Sequence, residues 1–298
     1  MNKYILLIIF CVPGISVYTQ SASGSSDYYE QAVPGDIPVV FAPGVISRDG
    51  SYEYPCSFTN DMSEMYFGVN LYNEGNKERY ILHVKKQTNG EWYHPEIITF
   101  TGYPESEPIL SPDNSLLFFN VHTDTSKWKP HDIWYVEKNP NGWSQPERLN
   151  GNINSDDYEY FTTMTQNKTI YFTREGKGIY TADFFNNDFQ NIKPVDSVIN
   201  KMKWAGHPYI SPDESYLIFD SSEPGGFGSA DLYISFKADN HWSEPINLGA
   251  EINSSQWDAM PIVSPDGKFL FFCRQTDKDR DVYWVRFDLE KYKHSVNK

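Results

Sequence analysis

The sequence has little cysteine, few basic residues and no long apolar run beyond its first residues. With 25 Lys and Arg against 40 Asp and Glu, the formal net charge is −15. This balance disfavours nucleic acids, whose phosphates are bound by Lys and Arg, and it disfavours anionic membrane surfaces. No later segment approaches the ~20 apolar residues of a membrane helix, so membrane insertion is not predicted.

Familiar catalytic and metal-binding patterns are also missing. There is no Gly-x-Ser-x-Gly elbow, and the seven His lack metal-ligand spacing. Residues 277–281 resemble a calcium loop, but Lys278 and Arg280 within it would repel the ion. We therefore predict no metal site and no other cofactor.

The first 20 residues have the features of a secretory signal peptide. Lys3 supplies a small positive region, and residues 4–12 form an apolar stretch too short to span a bilayer. The bulky Phe10 before Cys11 is a poor match to a lipoprotein cleavage site. The chain is therefore predicted to be exported, to the periplasm or the cell exterior, with residues 21–36 as a flexible N-terminal segment.

What the sequence does contain is an internal repeat of about fifty residues. Its clearest copies are Ser-Pro-Asp turns, each followed by an apolar run, and two degenerate copies complete the set. The turn position is occupied by Asp61, Asp113, Asn167, Asp213 and Asp266, in steps of 52, 54, 46 and 53 residues. Pro presets φ, Asp accepts hydrogen bonds from the backbone that follows, and Gly or Asn tolerates positive φ. The repeat therefore marks a tight turn between two strands.

Two further landmarks complete each repeat as a four-stranded unit. A strand-like segment related to Asp-Ile-Tyr follows the apolar run, and an aromatic residue followed by Pro marks an outer strand. Only four copies of the outer strand exist, whereas an unassigned apolar segment, residues 37–41, precedes the first repeat. The two gaps match, so the N-terminal strand is predicted to complete the last unit.

These patterns predict an all-β chain folded as a five-bladed β-propeller with four-stranded antiparallel blades. The N-terminal strand closes the last blade and so removes sheet edges that invite aggregation. A six-bladed ring is the alternative, and it requires residues 27–47 to form more than one strand. One propeller domain is expected over residues 37–290, followed by a C-terminal tail, residues 291–298.

Cys56 and Cys273 lie near opposite ends of the chain, and a ring would bring them to adjacent blades. They form a disulfide in an oxidising compartment, or they are two buried thiols that behave as small apolar side chains. The sequence leaves both alternatives open.

The most specific segments of the chain are residues 225–233, residues 248–254 and the Ser-Pro-Asp-Gly turn at residues 264–267. They resemble the TolB-like, WD-like propeller repeats of exported bacterial proteins of the Bacteroidota type, which share this Pro-Asp turn. The resemblance covers residues 37–288. It implies the propeller fold and specifies no function, because one fold serves many functions.

Alignment of the repeats on the turn residue identifies a candidate binding ring. Eight residues before the turn, four of five repeats carry a carboxylate, and the fourth has Ala205: Glu53, Glu105, Glu159 and Asp258. The preceding positions are mostly aromatic: Tyr52, Pro104, Tyr158, Trp204 and Trp257. Because these residues begin the innermost strand, we expect them around one mouth of the central channel.

The ring has two interpretations. It binds a cation, a basic peptide or a carbohydrate whose sugar faces stack on the aromatic rings, or its carboxylates accept backbone hydrogen bonds from the connections between blades. Residues that differ between equivalent positions are better candidates for function, because a structural role would require the same residue type in every blade. Glu107, His207 and Met260 occupy one such position, two residues past the ring.

We predict a non-catalytic binding or scaffolding module, monomeric, for an envelope protein or a glycan. The alternative is a carbohydrate-active hydrolase or lyase, whose mechanism needs two mouth carboxylates roughly 5–10 Å apart.

Overall fold

The computed structural model describes residues 28–73, 76–123, 131–186, 188–239 and 241–296. The predicted signal peptide and residues 21–27 lie outside these ranges. Within them the chain is all-β apart from two short helices, α1 (Ser197–Asn200) and α2 (Leu289–Val296). Neither described helix is long and apolar enough to cross a membrane.

The strands follow the five sequence repeats, and the strands of each repeat form one unit. The first unit contains β2 (Tyr52–Glu53), β3 (Ser57–Phe58), β4 (Glu64–Asn73), β5 (Asn76–Lys85) and β6 (Glu96–Ile98). The second contains β7 (Glu105–Leu110), β8 (Leu116–Val121), β9 (Asp132–Asn139), β10 (Gly142–Trp143) and β11 (Glu147–Arg148). The third contains β12 (Glu159–Met164), β13 (Thr169–Arg174), β14 (Gly178–Phe185) and β15 (Asp188–Pro194).

The remaining two units have the same plan. The fourth contains β16 (Gly206–Ile210), β17 (Tyr216–Ser221), β18 (Asp231–Ala238), β19 (His241–Trp242) and β20 (Ile246–Asn247). The fifth contains β21 (Trp257–Val263), β22 (Phe269–Gln275) and β23 (Arg280–Arg286), and it is joined by β1 (Val39–Val40) from the start of the chain. Consecutive strands of a unit pair antiparallel.

The aromatic-Pro landmark forms the outer strand, and in the second and fourth units this strand is divided in two with Pro between the parts. In the second unit, β10 and β11 both pair with β9, and Pro146 lies between them. Pro has no N–H to donate to a ladder, so the pairing stops there and resumes one residue later.

The second strand of each unit is apolar because both of its faces are buried. In β8, Leu117 and Phe119 belong to a cluster shared with the first unit, whereas Phe118 belongs to a cluster shared with the third. Side chains alternate between the two faces of a strand, so a strand between two packed sheets needs a continuous apolar run. The apolar runs that follow the turns in the sequence therefore correspond to strands that are buried on both faces.

Buried clusters lie between successive units, and one further cluster joins the fifth unit to the first. In this cluster Trp284 and Phe271 of the fifth unit pack with Phe67 of the first, all fully buried. A parallel bridge between Tyr52 and Arg280 also connects the two units. The ends of the described chain therefore meet in one packed region.

The pairing predicted for residues 37–41 is confirmed. Val39 lies opposite Trp284 in an antiparallel pair, and the Phe41 N–H donates to the Val282 carbonyl (2.8 Å). The N-terminal strand thereby supplies the outer strand that the fifth repeat lacks.

Residues 28–36, which belong to the segment predicted to be flexible over residues 21–36, contact the rest of the protein. Tyr28 is 4% exposed and lies in the cluster between the fifth and first units. The Gln31 amide donates to the Val40 carbonyl and accepts the Ala42 N–H, both at 2.8 Å. Aromatic burial and these two hydrogen bonds order a segment whose sequence is polar overall.

The predicted C-terminal tail, residues 291–298, begins inside helix α2. Tyr292 is buried against the fourth and fifth units, and its hydroxyl donates to the Leu248 carbonyl (3.1 Å). Tyr292 and the partly buried Leu289 thus pack this short helix against the two units.

The tight turns have the chemistry predicted for the repeat. Asp113 Oδ1 accepts hydrogen bonds from the Ser111 hydroxyl (2.6 Å) and the Ser115 N–H (3.0 Å), and Asn114 between them has φ of 59°. The equivalent residues of all five turns have positive φ, and only two are Asn or Gly: Met62, Asn114, Lys168, Glu214 and Gly267. The side-chain hydrogen bonds around the turn hold the less permissive residues in this conformation.

Cys56 and Cys273 are both free thiols, fully buried in the cluster between the fifth and first units. The Cys273 thiol donates to the Glu53 carbonyl (3.3 Å). Of the two alternatives left open by the sequence, the structure has the buried thiols.

Candidate functional site

The four repeated carboxylates are buried at the start of the innermost strands. Glu105, 2% exposed, accepts the N–H of Phe100 (3.0 Å) and both the N–H (2.6 Å) and the hydroxyl (2.7 Å) of Thr101. These donors belong to the connection from the preceding outer strand. The carboxylate therefore accepts hydrogen bonds from the connection that precedes its own strand, which is the arrangement expected if the ring carboxylates have a structural role.

Glu159 and Asp258 add a cation to the same arrangement. Each is fully buried and accepts the N–H and hydroxyl of a Ser four residues earlier. Each also accepts an Arg Nε from the neighbouring strand, Arg174 at 2.8 Å and Arg274 at 2.6 Å. Both carboxylates are therefore already hydrogen-bonded to Ser and paired with Arg inside the protein.

Glu53 is the exception among the four. The Ser51 hydroxyl donates to its Oε1, whereas its Oε2 has no hydrogen-bond partner among the described residues. Burial, with a smaller contribution from the negative charge of Asp281, raises the pKa of Glu53 to about 7. The protonated carboxyl is the form that this site favours.

Two residues further along, the innermost strands share a bulge. The ladder slips at this point, and the residues there have φ between 44° and 60°: Glu107, Phe161, His207 and Met260. We call this the bulge position. Glu107, His207 and Met260 were predicted from the sequence as unequal occupants of one position, whereas Phe161 and the bulge itself were not predicted.

His207 is held by the strand next to it. Its Nδ1 lies 2.7 Å from Asp220 Oδ1, and that oxygen also accepts the Met260 N–H (3.2 Å). Rings of Tyr160 and Trp257 approach the imidazole, with centroids at 5.1 and 6.0 Å. Burial alone lowers the pKa of His207, but the charge and hydrogen bond of Asp220 outweigh it and raise the pKa above its ordinary value.

Arg280 is a buried cation close to His207. Its Nε donates to the Glu53 carbonyl (2.8 Å), and its guanidinium lies 4.3 Å from the Tyr54 ring centroid and 5.8 Å from that of Trp257. Its Nη2 has no hydrogen-bond partner among the described residues. Cation–π contact with aromatic rings offsets part of the cost of burying the charge.

A cavity of about 500 Å³ opens beside these residues, and we call it the mouth cavity. Of the residues predicted for the ring, Trp204, His207 and Trp257 line it, together with Ala205. Trp204 is 58% exposed. Side chains that the sequence analysis did not identify complete the lining: Tyr160, Thr173, Glu175, Lys177, Asn200, Met202, Asp220 and Ser222.

The charged groups of the lining are largely paired. The Tyr160 hydroxyl donates to Glu175 (2.6 Å), Lys177 contacts Asp157, and Asp220 bonds to His207. His207 is different, because its Nε2 has no hydrogen-bond partner in the described part of the chain.

Tyr52 and Tyr158, the other predicted aromatics, do not line the mouth cavity. Tyr52 lies 5.9 Å from Arg280, and Tyr158 lies 5.1 Å from the ring of His131. Across the described ranges, no group of three or more His, Cys, Asp or Glu side chains is arranged to hold a metal ion.

No family model and no curated protein matches this sequence. Solved structures do match. TolB from Acinetobacter baumannii has a TM-score of 0.50 at 14% identity, over 80% of this chain and 55% of that one, so this chain spans about half its length. The catalytic domain of the Coprinopsis cinerea GH62 α-L-arabinofuranosidase has a TM-score of 0.54 at 9% identity, over 85% and 98% of the two chains.

An α-L-arabinofuranosidase from Lactobacillus brevis is similar to the same extent, with a TM-score of 0.52 at 15% identity, over 82% of this chain and 92% of that one. At these identities the likenesses show the fold alone. Together with the antiparallel units, they show a TolB-like β-propeller fold.

Proposed function

We propose that the protein is an exported, non-catalytic β-propeller that binds a glycan through the mouth cavity. The observation that carries this proposal is the pairing of an exposed Trp204 with a cavity wall formed by Trp257 and Tyr160. Flat aromatic faces bury the apolar faces of sugar rings at little cost in conformational entropy. An envelope protein is the other class of partner that such a surface serves.

We also propose that the five units are the blades of one closed ring. A second cavity, of about 80 Å³, supports this, because equivalent positions from all five innermost strands line it: Ser57, Ile109, Thr163, Tyr209 and Ile262. The cluster between the fifth and first units supports closure, since a ring requires contact between its last and first blades. The Bacteroidota-type repeat and export from the cytoplasm remain part of the proposal.

A carbohydrate-active enzyme is the alternative function, because two of the similar structures are α-L-arabinofuranosidases. Retaining and inverting glycosidases need two carboxylates free to act on one bond. Glu105 and Asp258 instead accept hydrogen bonds from their own connections. The alternative predicts turnover of an oligosaccharide that Glu105→Gln or Asp258→Asn abolishes, and binding without turnover on a broad glycan panel would reject it.

Trp204→Ala is expected to weaken binding of the recognised glycan at least about fivefold. Loss of one stacking platform removes about 1–3 kcal/mol of interaction. Because Trp204 is largely exposed, the variant is expected to unfold at the same temperature as the wild type. Isothermal titration with glycans identified on an oligosaccharide array measures the change in affinity.

Phe185→Ala is the matched control, since Phe185 is 60% exposed and does not line the mouth cavity. It should bind as the wild type does. Equal affinities of the wild type and of the Trp204 variant would place the binding surface elsewhere and reject the proposal.

A further inference from the structure

We infer that the mouth cavity recognises acidic glycans, with the imidazole of His207 donating from Nε2 to the carboxylate of a hexuronate residue. This inference rests on the proposed function and specifies its ligand class. It contrasts with the cationic ligands suggested by an acidic ring, because the ring carboxylates are occupied by their own connections.

The imidazole of His207 is held in one orientation by its hydrogen bonds. Asp220 binds Nδ1 and is itself fixed by the Met260 N–H, so the imidazole is oriented from one side. The bulge, with φ of 44°, and the Thr173 hydroxyl, which accepts the His207 N–H (2.8 Å), fix its backbone. The side chain is 9% exposed and lines the mouth cavity, and its Nε2 has no hydrogen-bond partner among the described residues, so the Nε2 N–H is available to a ligand.

The charges near His207 favour an anionic partner. Arg280, whose Nη2 is also unpaired, lies against Trp257, which forms part of the cavity wall. Glu107 is the nearby carboxyl at the bulge position, and burial raises its pKa, which favours the neutral form. Although the chain carries a net charge of −15, His207 Nε2 and Arg280 Nη2 are both unpaired donors on cationic groups.

The exposed Trp204 distinguishes a sugar from an acidic peptide. A hexuronate offers a carboxylate and a pyranose face in one rigid unit, so it satisfies His207 and stacks on Trp204 together. The cavity volume of about 500 Å³ is within the usual range for small-molecule sites and accommodates a short oligosaccharide. The carboxylate of an acidic peptide accepts the hydrogen bond from His207 but supplies no sugar face to stack on Trp204.

Binding should weaken as the pH rises. The groups that face His207 are Asp220 on β17, Glu107 on β7, Arg280 on β23 and Tyr160 on β12. Asp220 favours the imidazolium, which is present below the raised pKa of His207 and is lost above it. A carboxylate ligand should bind at least tenfold more tightly at pH 6 than at pH 9.

The test uses trimers of galacturonic and of glucuronic acid and their fully methyl-esterified forms, which keep the sugar faces and lose the charge. Titration calorimetry on the wild type at pH 6 should show at least tenfold tighter binding of one acid trimer than of its ester. His207→Gln should reduce the acid trimer to the affinity of the ester, and Asp220→Asn should shift the pH dependence to lower pH. The comparison of acid and ester needs only the wild-type protein, so it remains decisive if a variant fails to fold.

Equal affinities for acid and ester, still weakened by Trp204→Ala, would overturn this inference and leave the proposed function standing. Binding of neither trimer, together with binding of a neutral glycan, would do the same. Binding of a poly-glutamate peptide in preference to every glycan would overturn both.

Discussion

Phe41→Ala is expected to lower the free energy of unfolding by about 3–5 kcal/mol, the usual cost of removing a buried aromatic ring. Phe41 is fully buried, with ring centroids 5.1 Å from Phe271 and 5.4 Å from Trp284. It follows β1 directly, so its loss should release the N-terminal strand from the fifth unit. Urea unfolding followed by tryptophan fluorescence measures the change.

The same substitution at Phe185 is the control for this experiment. Phe185 is exposed, so Phe185→Ala should change the free energy of unfolding by no more than about 0.5 kcal/mol. A loss at Phe41 as small as the loss at Phe185 would mean that the N-terminal strand does not contribute to the stability of the fifth unit.

Glu53→Gln is expected to stabilise the protein above pH 7 and to have little effect near pH 4. The folded-state pKa of about 7 lies above the ordinary value of about 4.3, so wild-type stability falls as the pH rises between these values. The shift of the pKa from about 4.3 to about 7 corresponds to about 4 kcal/mol, and the unpaired amide of the Gln side chain offsets part of this gain. We therefore expect a gain of about 1–3 kcal/mol at pH 8, measured by urea unfolding at pH 4.5 and pH 8.

Glu105→Gln is the matched control, because Glu105 occupies the same position in the next repeat. Its carboxylate accepts three hydrogen bonds from the Thr101 and Phe100 segment, and Gln replaces one acceptor oxygen by a donor. This variant should lose about 1–3 kcal/mol at both pH values. A gain at pH 8 that is equally large at pH 4.5, or no gain at all, would contradict the account of Glu53.

The repeat and the closing strand were predictable because their causes are local. A Ser-Pro-Asp turn contains its own hydrogen-bond donors and acceptors, and an apolar run buried on both faces needs no distant residue to be recognised. The N-terminal strand at residues 37–41 was identified by counting, since one unit lacked an outer strand and one strand lacked a unit. These features predict the antiparallel units and the strand that completes the fifth unit.

The candidate site was predictable only in part. Trp204, His207 and Trp257 were predicted to lie around one channel mouth, and all three line the mouth cavity. The binding role of the carboxylates remains a prediction, but Glu105, Glu159 and Asp258 are occupied by hydrogen bonds, which spacing alone does not distinguish from availability. Asp220 and Lys177 were missed because they reach the cavity from neighbouring strands and loops, a placement that depends on packing between units.

Aromatic side chains pack both ends of the described chain onto the units. Tyr28 lies in the cluster between the fifth and first units, and Tyr292 packs against the fourth and fifth units. Composition alone does not predict these contacts, because each depends on where one aromatic residue lies relative to the folded units.

The most direct test of the mouth cavity as the ligand site is a crystal structure of the protein with its tightest-binding glycan. We predict a sugar ring stacked on Trp204 and a ligand oxygen within hydrogen-bond distance of His207 Nε2. A glycan bound elsewhere, with the mouth cavity empty at a concentration that saturates binding in solution, would contradict the account.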